Sequence, residues 1–304
     1  MKLPWIFTTA AILSLPTPLL AAAFSHGKYF SLPDLNTTSL NIPPDLHFKI
    51  NRVYSDEEIV KNDCLVVGFW LMGQLSTKDW SSTIPLGRGP DLANFPGVKI
   101  DVKPQDPFPN LPIRYAIWGL KLAMLDLLAR NQFVESIYEL YWDYVTVGTI
   151  YIRASTPRLS NQNLTVPFNF DQSVNIDIQA IPGAQPINPR DIWTMMFESQ
   201  ERLAYPAAHI IPRTTFQLGP YLPSSKAFFN LDPLHGPDLP RLYPPFLHVS
   251  TITYAFMLIA VWMCQNDRFS EFGFTISVGG TLVGTGRLSE VRIQGSLAGN
   301  LSTS

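Results

Sequence analysis

The sequence predicts an α+β protein of two related halves, each running strand–helix–loop–helix–β-hairpin, with antiparallel sheets packed on helices. Three observations predict it. Sliding the chain by 136 positions sets Phe133 on Phe269, Glu135 on Glu271 and Val147-Gly148-Thr149 on Val283-Gly284-Thr285 without a gap, the mark of an internal repeat. Just upstream, Ile113, Ala116, Ile117, Leu120, Met124, Leu127 and Leu128 recur at helical spacing, and the apolar stretch at 256–264 falls on residues 120–128 under the same shift. After each helix the chain is rich in Ile, Val, Tyr, Phe and Thr, as half-buried strands prefer.

The elements follow in order. Residues 1–23 read as a signal peptide: Lys2 is basic, residues 3–20 are apolar and Ala21-Ala22-Ala23 supply a cleavage site. The first repeat occupies 24–160. It has a strand at 48–54, a helix at 56–75 capped by Ser55 or Asp56, and a loop at 77–112 with seven prolines. A helix then begins at Ile113 and leads to a hairpin whose turn is Asp143-Tyr144. That pair is a poorer choice than glycine for two positive-φ positions, and leaves the register open to differ between halves. A linker at 156–167 precedes the second repeat, which occupies 161–304. It has a strand at 174–178 and a helix at 189–203 opened by Asn188 as cap and Pro189 in the first turn. A second seven-proline loop follows at 219–245, and then an apolar helix and a hairpin at 272–288 turning on Gly279-Gly280. Loops this long are more often functional or disordered.

The stretch 246–264 carries no charge over nineteen residues, close to the ~20 a membrane span needs. His248, Ser250, Thr251 and Thr253 sit in its first third, and its partner in the first half is amphipathic, carrying Arg114, Lys121 and Arg130 on a polar face. It reads as a buried core helix, with a span or membrane association as the second reading.

Composition narrows the function. The 304 residues hold 22 Lys plus Arg against 24 Asp plus Glu, with 46% hydrophobic and 15% charged residues. A near-neutral balance excludes a typical nucleic-acid binder, which needs a basic face. Routing into the secretory pathway gives weight to three sequons, at Asn36, Asn163 and Asn300. The same routing favours a Cys64–Cys264 disulfide over two buried thiols. It would close a loop of about 200 residues and stabilise by roughly 5 kcal/mol in the chain-entropy model.

No Gly-x-Ser-x-Gly, phosphate-loop or His-Glu-x-x-His pattern occurs, and no cofactor or metal is expected. Gly279-Gly280 and Gly284-x-Gly286 read as turn and strand glycines. The weak catalytic candidates are Asp232, His235 and Asp238, near Arg241 in the second proline loop, where a carboxylate orients an imidazole. Glu135 and Glu139, with Asp143, form an acidic face of one strand, and its bland reading is a solvated sheet face. Trp118, Tyr138 and Trp142 are the candidate lining of an aromatic pocket for an apolar small molecule. His209 and His248 read as core histidines.

The helix-on-hairpin order resembles cystatin-like folds in topology. The hairpin Val147-Gly148-Thr149-Ile150 after an apolar helix, with its echo at Val283, resembles uncharacterised secreted or lumenal proteins of filamentous fungi, a resemblance that implies no activity. The leading expectation is a secreted or lumenal protein that handles an apolar small molecule without a cofactor, a cyclase or isomerase-type accessory in biosynthesis. Its alternative is a non-catalytic secreted interaction or structural protein, with another protein as partner. A hydrolase using His235 and Asp238 stands third.

Overall fold

Strand alternation and helix periodicity place each element, and the two halves thread the same path. The computed structural model describes residues 47–155, 173–205, 216–219, 226–233 and 247–290. Residues 1–23, read from the sequence as a signal peptide, and Asn36, Asn163, Asn300, His209, His235, Asp238 and Arg241 lie outside the described residues.

The first half runs β1 (Phe48–Glu58), α1 (Lys61–Ser76), β2 (Thr83–Ile84), β3 (Gly87–Arg88), β4 (Val98–Pro104), β5 (Leu111–Pro112), α2 (Ile113–Arg130), β6 (Val134–Trp142) and β7 (Val145–Ala154). The second runs β8 (Val174–Ala180), α3 (Pro189–Ala204), β9 (Phe216–Leu218), β10 (Ala227–Pro233), α4 (Val249–Gln265), β11 (Phe272–Val278) and β12 (Thr281–Glu290). Each half closes a five-stranded antiparallel sheet, in the order β1-β6-β7-β4-β3 and β8-β11-β12-β10-β9. Replacing every strand by its counterpart turns one order into the other. The α+β class with antiparallel sheets packed on helices is therefore the observed one.

The duplication extends to single bonds. Under the shift of 136, β7 falls residue for residue on β12. The strand irregularities between Leu140 and Tyr141 and between Ile276 and Ser277 coincide. Ile59 N donates to Phe133 O, and its counterpart Ile187 N donates to Phe269 O, both at 2.9 Å. The hairpin register does not differ between halves. Asp143 and Tyr144 adopt positive φ (45° and 71°) just as Gly279 and Gly280 do (57° and 81°). Contacts of Asp143 with His47, through its backbone N–H and its carboxylate, anchor the non-glycine turn.

The helices form a double layer between the two sheets. At its centre α1 meets α3. Phe69 packs edge-on against its own counterpart Phe197 (5.5 Å between ring centres) and against Trp193 (6.1 Å). Further along, Gln200 Nε2 donates to Ser76 Oγ at 2.5 Å. Contacts climb both helices together, from Phe69 against Trp193 and Phe197 to Ser76 against Gln200, so the two helices run parallel. A residue touching its own equivalent marks a pseudo-two-fold axis, the geometry of an isologous dimer within one chain.

α4 lies buried against α1 and β8. Its Thr253 hydroxyl accepts from Gln200 Nε2 at 3.2 Å, so protein supplies the partner that lipid would deny. Among the described residues no helix is long and apolar enough to cross a membrane.

Several expectations are corrected. The first proline-rich loop contains β3 and β4, and the second contains β10; in β4, Val98, Ile100 and Val102 point inward and complete the first sheet. β1 continues to Glu58, so α1 starts at Lys61 and neither Ser55 nor Asp56 caps it. Asn188 does cap α3, accepting from Arg190 N at 2.9 Å. His248 is not core but the exposed residue preceding α4. Cys64 and Cys264 are both buried free thiols, not a disulfide. The neighbouring Asp63 charge adds to burial in holding both thiols protonated.

Candidate functional site

Under the pseudo-symmetry, most core positions carry apolar residues in both halves. The exceptions are informative, because polar groups buried in one half only are not demanded by the fold. Several such groups occur among the described residues, including Gln200 with Ser76 and Thr253 and Asp101 with Arg88 and Arg153; two more lie on α2.

The first surrounds Asp126. This residue of α2 is 1% exposed and lies beneath β1 and β6. Arg52 Nη1 donates to Oδ1 at 2.8 Å, Arg130 Nε to Oδ1 at 3.3 Å, Tyr138 OH to Oδ2 at 3.1 Å, and Tyr54 OH also donates to Oδ2. Four donors saturate the carboxylate. Burial, reinforced by the neighbouring Asp126 charge, pushes the Tyr54 phenol up to about 12 and Tyr138 further still. Both phenols therefore stay protonated donors at neutral pH. The counterparts of Asp126 and Tyr138 are Trp262 and Phe274, and those of Arg52 and Tyr54 are Ile178 and Ala180. A saturated node of this kind locks α2 to its sheet and leaves no lone pair for a substrate.

The second group sits where α2 of one half meets α3 of the other. Lys121 Nζ donates to Glu201 Oε2 and lies 3.7 Å from Glu198 Oε2. The three residues are 8%, 6% and 6% exposed. Two carboxylates share one cation, and burial drives the Glu201 carboxyl above the usual range although Lys121 pulls it back. The symmetry-related seam between α1 and α4 carries no charge at the equivalent positions. There Met257, the counterpart of Lys121, packs on Gly73 and Trp70, the counterparts of Glu201 and Glu198. The Trp70 indole N–H donates to Met257 O at 3.3 Å. A Cβ on Gly73 would come within 2.2 Å of Met257 Sδ. One seam is thus closed by tight apolar contact and the other by a buried charge cluster.

An aromatic group lies one turn away. Trp118, three residues before Lys121, meets Trp80 at 5.6 Å, and Trp80 meets Tyr205, four residues after Glu201, at 5.7 Å. Trp118 also contacts Phe48 and Tyr115, and Tyr115 contacts Trp142 at 5.1 Å. The Arg114 guanidinium lies over Tyr115 and Trp142.

Of the predicted pocket residues, Trp118 and Trp142 join this cluster, whereas Tyr138 belongs to the Asp126 node. Glu135 is structural: its Oε1 accepts from Ala154 N at 2.7 Å, as Glu271 Oε1 accepts from Glu290 N at 3.4 Å in the second half. Glu139 accepts from Tyr141 OH and Asn51 Nδ2 on the outer sheet face. Asp232 is exposed on β10. Burial pushes the Cys264 thiol up to about 12 and Cys64 beyond that, so neither is a thiolate at neutral pH. Sequence reasoning missed Lys121, Glu198 and Glu201. Helical periodicity assigned Lys121 to the water face, although a charge aligned with Met257 was a signal in hand. Among the described residues no group of three or more His, Cys, Asp and Glu side chains is placed to hold a metal ion.

Comparison with protein-family models, with curated proteins and with solved structures gives no match.

Proposed function

We propose that the α2–α3 seam handles an apolar small molecule by proton transfer, without a cofactor, in a protein routed through the secretory pathway. The supporting observation is the buried Lys121–Glu198–Glu201 cluster beside Trp118, Trp80 and Tyr205, at a position whose symmetry mate is apolar. Buried ion clusters rarely repay their desolvation by stability alone, and perturbed carboxyls concentrate at functional sites.

The chemistry fitted to these groups is isomerisation or cyclisation of an apolar molecule bearing one carbonyl. A carboxylate takes a proton from carbon, the Lys121 ammonium stabilises the developing enolate oxygen, and the protonated carboxyl returns the proton to a different carbon. Atoms balance with no co-reactant. The rings supply an apolar surface that orients the substrate.

A β,γ-unsaturated cyclic ketone is the probe. Tryptophan fluorescence reads binding, and deuterium uptake from D2O together with conversion to the conjugated ketone reads proton transfer. The expected result is saturable quenching with uptake above buffer, reduced by at least about 100-fold in Glu201→Gln with binding retained. Neither quenching nor uptake above buffer with the wild-type protein would refute the proposal and favour the non-catalytic interaction reading.

A further inference from the structure

The outer faces of the two sheets are topologically equivalent but chemically unlike. On the second sheet the outward positions of β8, β11 and β12 include Asn175, Asp177, Gln179, Gly273, Thr275 and Thr285, a mostly small and polar surface with Leu282 exposed at its hairpin end. On the first sheet one row crosses three adjacent strands as Val53, Ile137 and Tyr151. Val53 is 58% and Ile137 39% exposed. Their counterparts Gln179, Gly273 and Arg287 show that the fold does not require apolar residues there.

Charge flanks this row unevenly. At the end of β1, Asp56, Glu57 and Glu58 are all exposed. Across the sheet at the same end, Lys99 and Arg153 are register partners on β4 and β7. Arg88 lies beyond them, bound with Arg153 to Asp101. At this end the face is therefore acidic on the β1 side, where Glu135 of β6 adds to the three acids, and basic on the β4 side, where Asp101 lies beneath the two arginines.

We infer that this face docks a second copy of the same chain. A two-fold axis between two such faces, directed along the strands, sets the acidic β1 edge of each copy over the basic β4 edge of the other. It also lays Ile137 of each copy over Tyr151 of the other, because β6 then faces β7. Lys49 and Lys103, at the other end, are each held over a tyrosine ring of their own chain, Tyr144 and Tyr151. Five strands about 4.8 Å apart and about seven residues long at 3.3 Å each cover roughly 500 Å² per copy. The total of roughly 1,000 Å² sits at the lower bound for a specific interface, so a reversible dimer is expected. This surface is remote from the α2–α3 seam, and neither proposal depends on the other.

Sedimentation velocity of the full chain over a concentration series tests it. The expected result is a monomer–dimer equilibrium near about 10 µM, weakened by added salt. Ile137→Lys weakens it at least tenfold. Glu57→Lys and Lys99→Glu each weaken it several-fold, and the double variant Glu57→Lys/Lys99→Glu restores it, because an isologous interface pairs each swapped charge with the other. These side chains are on the surface, so unchanged circular dichroism and unfolding midpoints confirm folded variants. A wild-type chain that stays monomeric at 100 µM (about ten times the expected midpoint) overturns the proposal. So does a dimer indifferent to Ile137→Lys, or a double swap that fails to restore association, including one in which a different acidic partner binds instead.

Discussion

Lys121→Met installs at the α2–α3 seam the residue that its counterpart, Met257, carries at the α1–α4 seam. Side-chain volume is nearly kept, so the perturbation is chiefly electrical: Glu198 and Glu201, both nearly inaccessible to water, lose the cation they share. Removing one partner of a buried ion pair costs about 3–5 kcal/mol, because an uncompensated charge is left inside. For a chain of this size, at about 2.1 cal/mol/K of unfolding entropy per residue, that lowers the melting temperature by about 5–8 °C. Urea unfolding at pH 7 and pH 4, read by far-ultraviolet circular dichroism, measures the loss. At pH 4 the orphaned carboxyls take up protons and the loss shrinks. The triple variant Lys121→Met/Glu198→Gln/Glu201→Gln, with no buried charge to strand, returns to within about 1–2 kcal/mol of wild type. A Lys121→Met protein within about 0.5 kcal/mol of wild type at pH 7, or equally destabilised at both pH values, refutes the reasoning.

Other outcomes follow from the same geometry. Glu201 has its folded-state carboxyl raised by burial, so the folded protein binds more protons and this residue's contribution to stability falls as pH rises from the usual carboxylate range through the raised folded value. Glu201→Gln flattens that slope in unfolding titrations. Tyr138→Phe removes one of four donors to Asp126 and costs about 1 kcal/mol, whereas Asp126→Ala strands Arg52 and both phenols and costs about 3 kcal/mol or more by denaturant titration. Gly73→Ala forces its Cβ into Met257 and costs about 1–3 kcal/mol in the same assay. An aromatic disulfide reagent at pH 8 reacts with neither Cys64 nor Cys264 in the native protein and with both after denaturation, since burial keeps each thiol protonated.

The sequence made the second part of each half readable and the first part obscure, for a countable reason. From α2 and α4 onward the halves align without a gap. Upstream the spacing changes, because eight residues separate Pro104 from Ile113 while fifteen separate Pro233 from Val249. That offset hid the equivalence of β4 with β10, and prolines at the strand ends disguised both as loop. The alternation Val98, Ile100, Val102 was nonetheless a strand pattern. Glu135 was readable as structural, because its equivalence with Glu271 argued against a unique catalyst and the two make the same backbone hydrogen bond. Lys121 was not readable. A charge on an amphipathic helix is normally solvated, and only the approach of α3 from the other half converts that face into an interior. The aromatic residues were visible, but their division between a seam cluster and the Asp126 node depends on which end of β6 each occupies.

The most direct measurement is amide hydrogen exchange of α2 and α4, read by mass spectrometry on peptides covering residues 113–130 and 249–265. Two equivalent halves sharing one helical interior require both helices to exchange only with global unfolding, at matching free energies and without detergent. Rapid exchange in α4 beside a protected α2, or protection of α4 that appears only on adding lipid, contradicts a duplicated protein whose apolar helices are buried in each other.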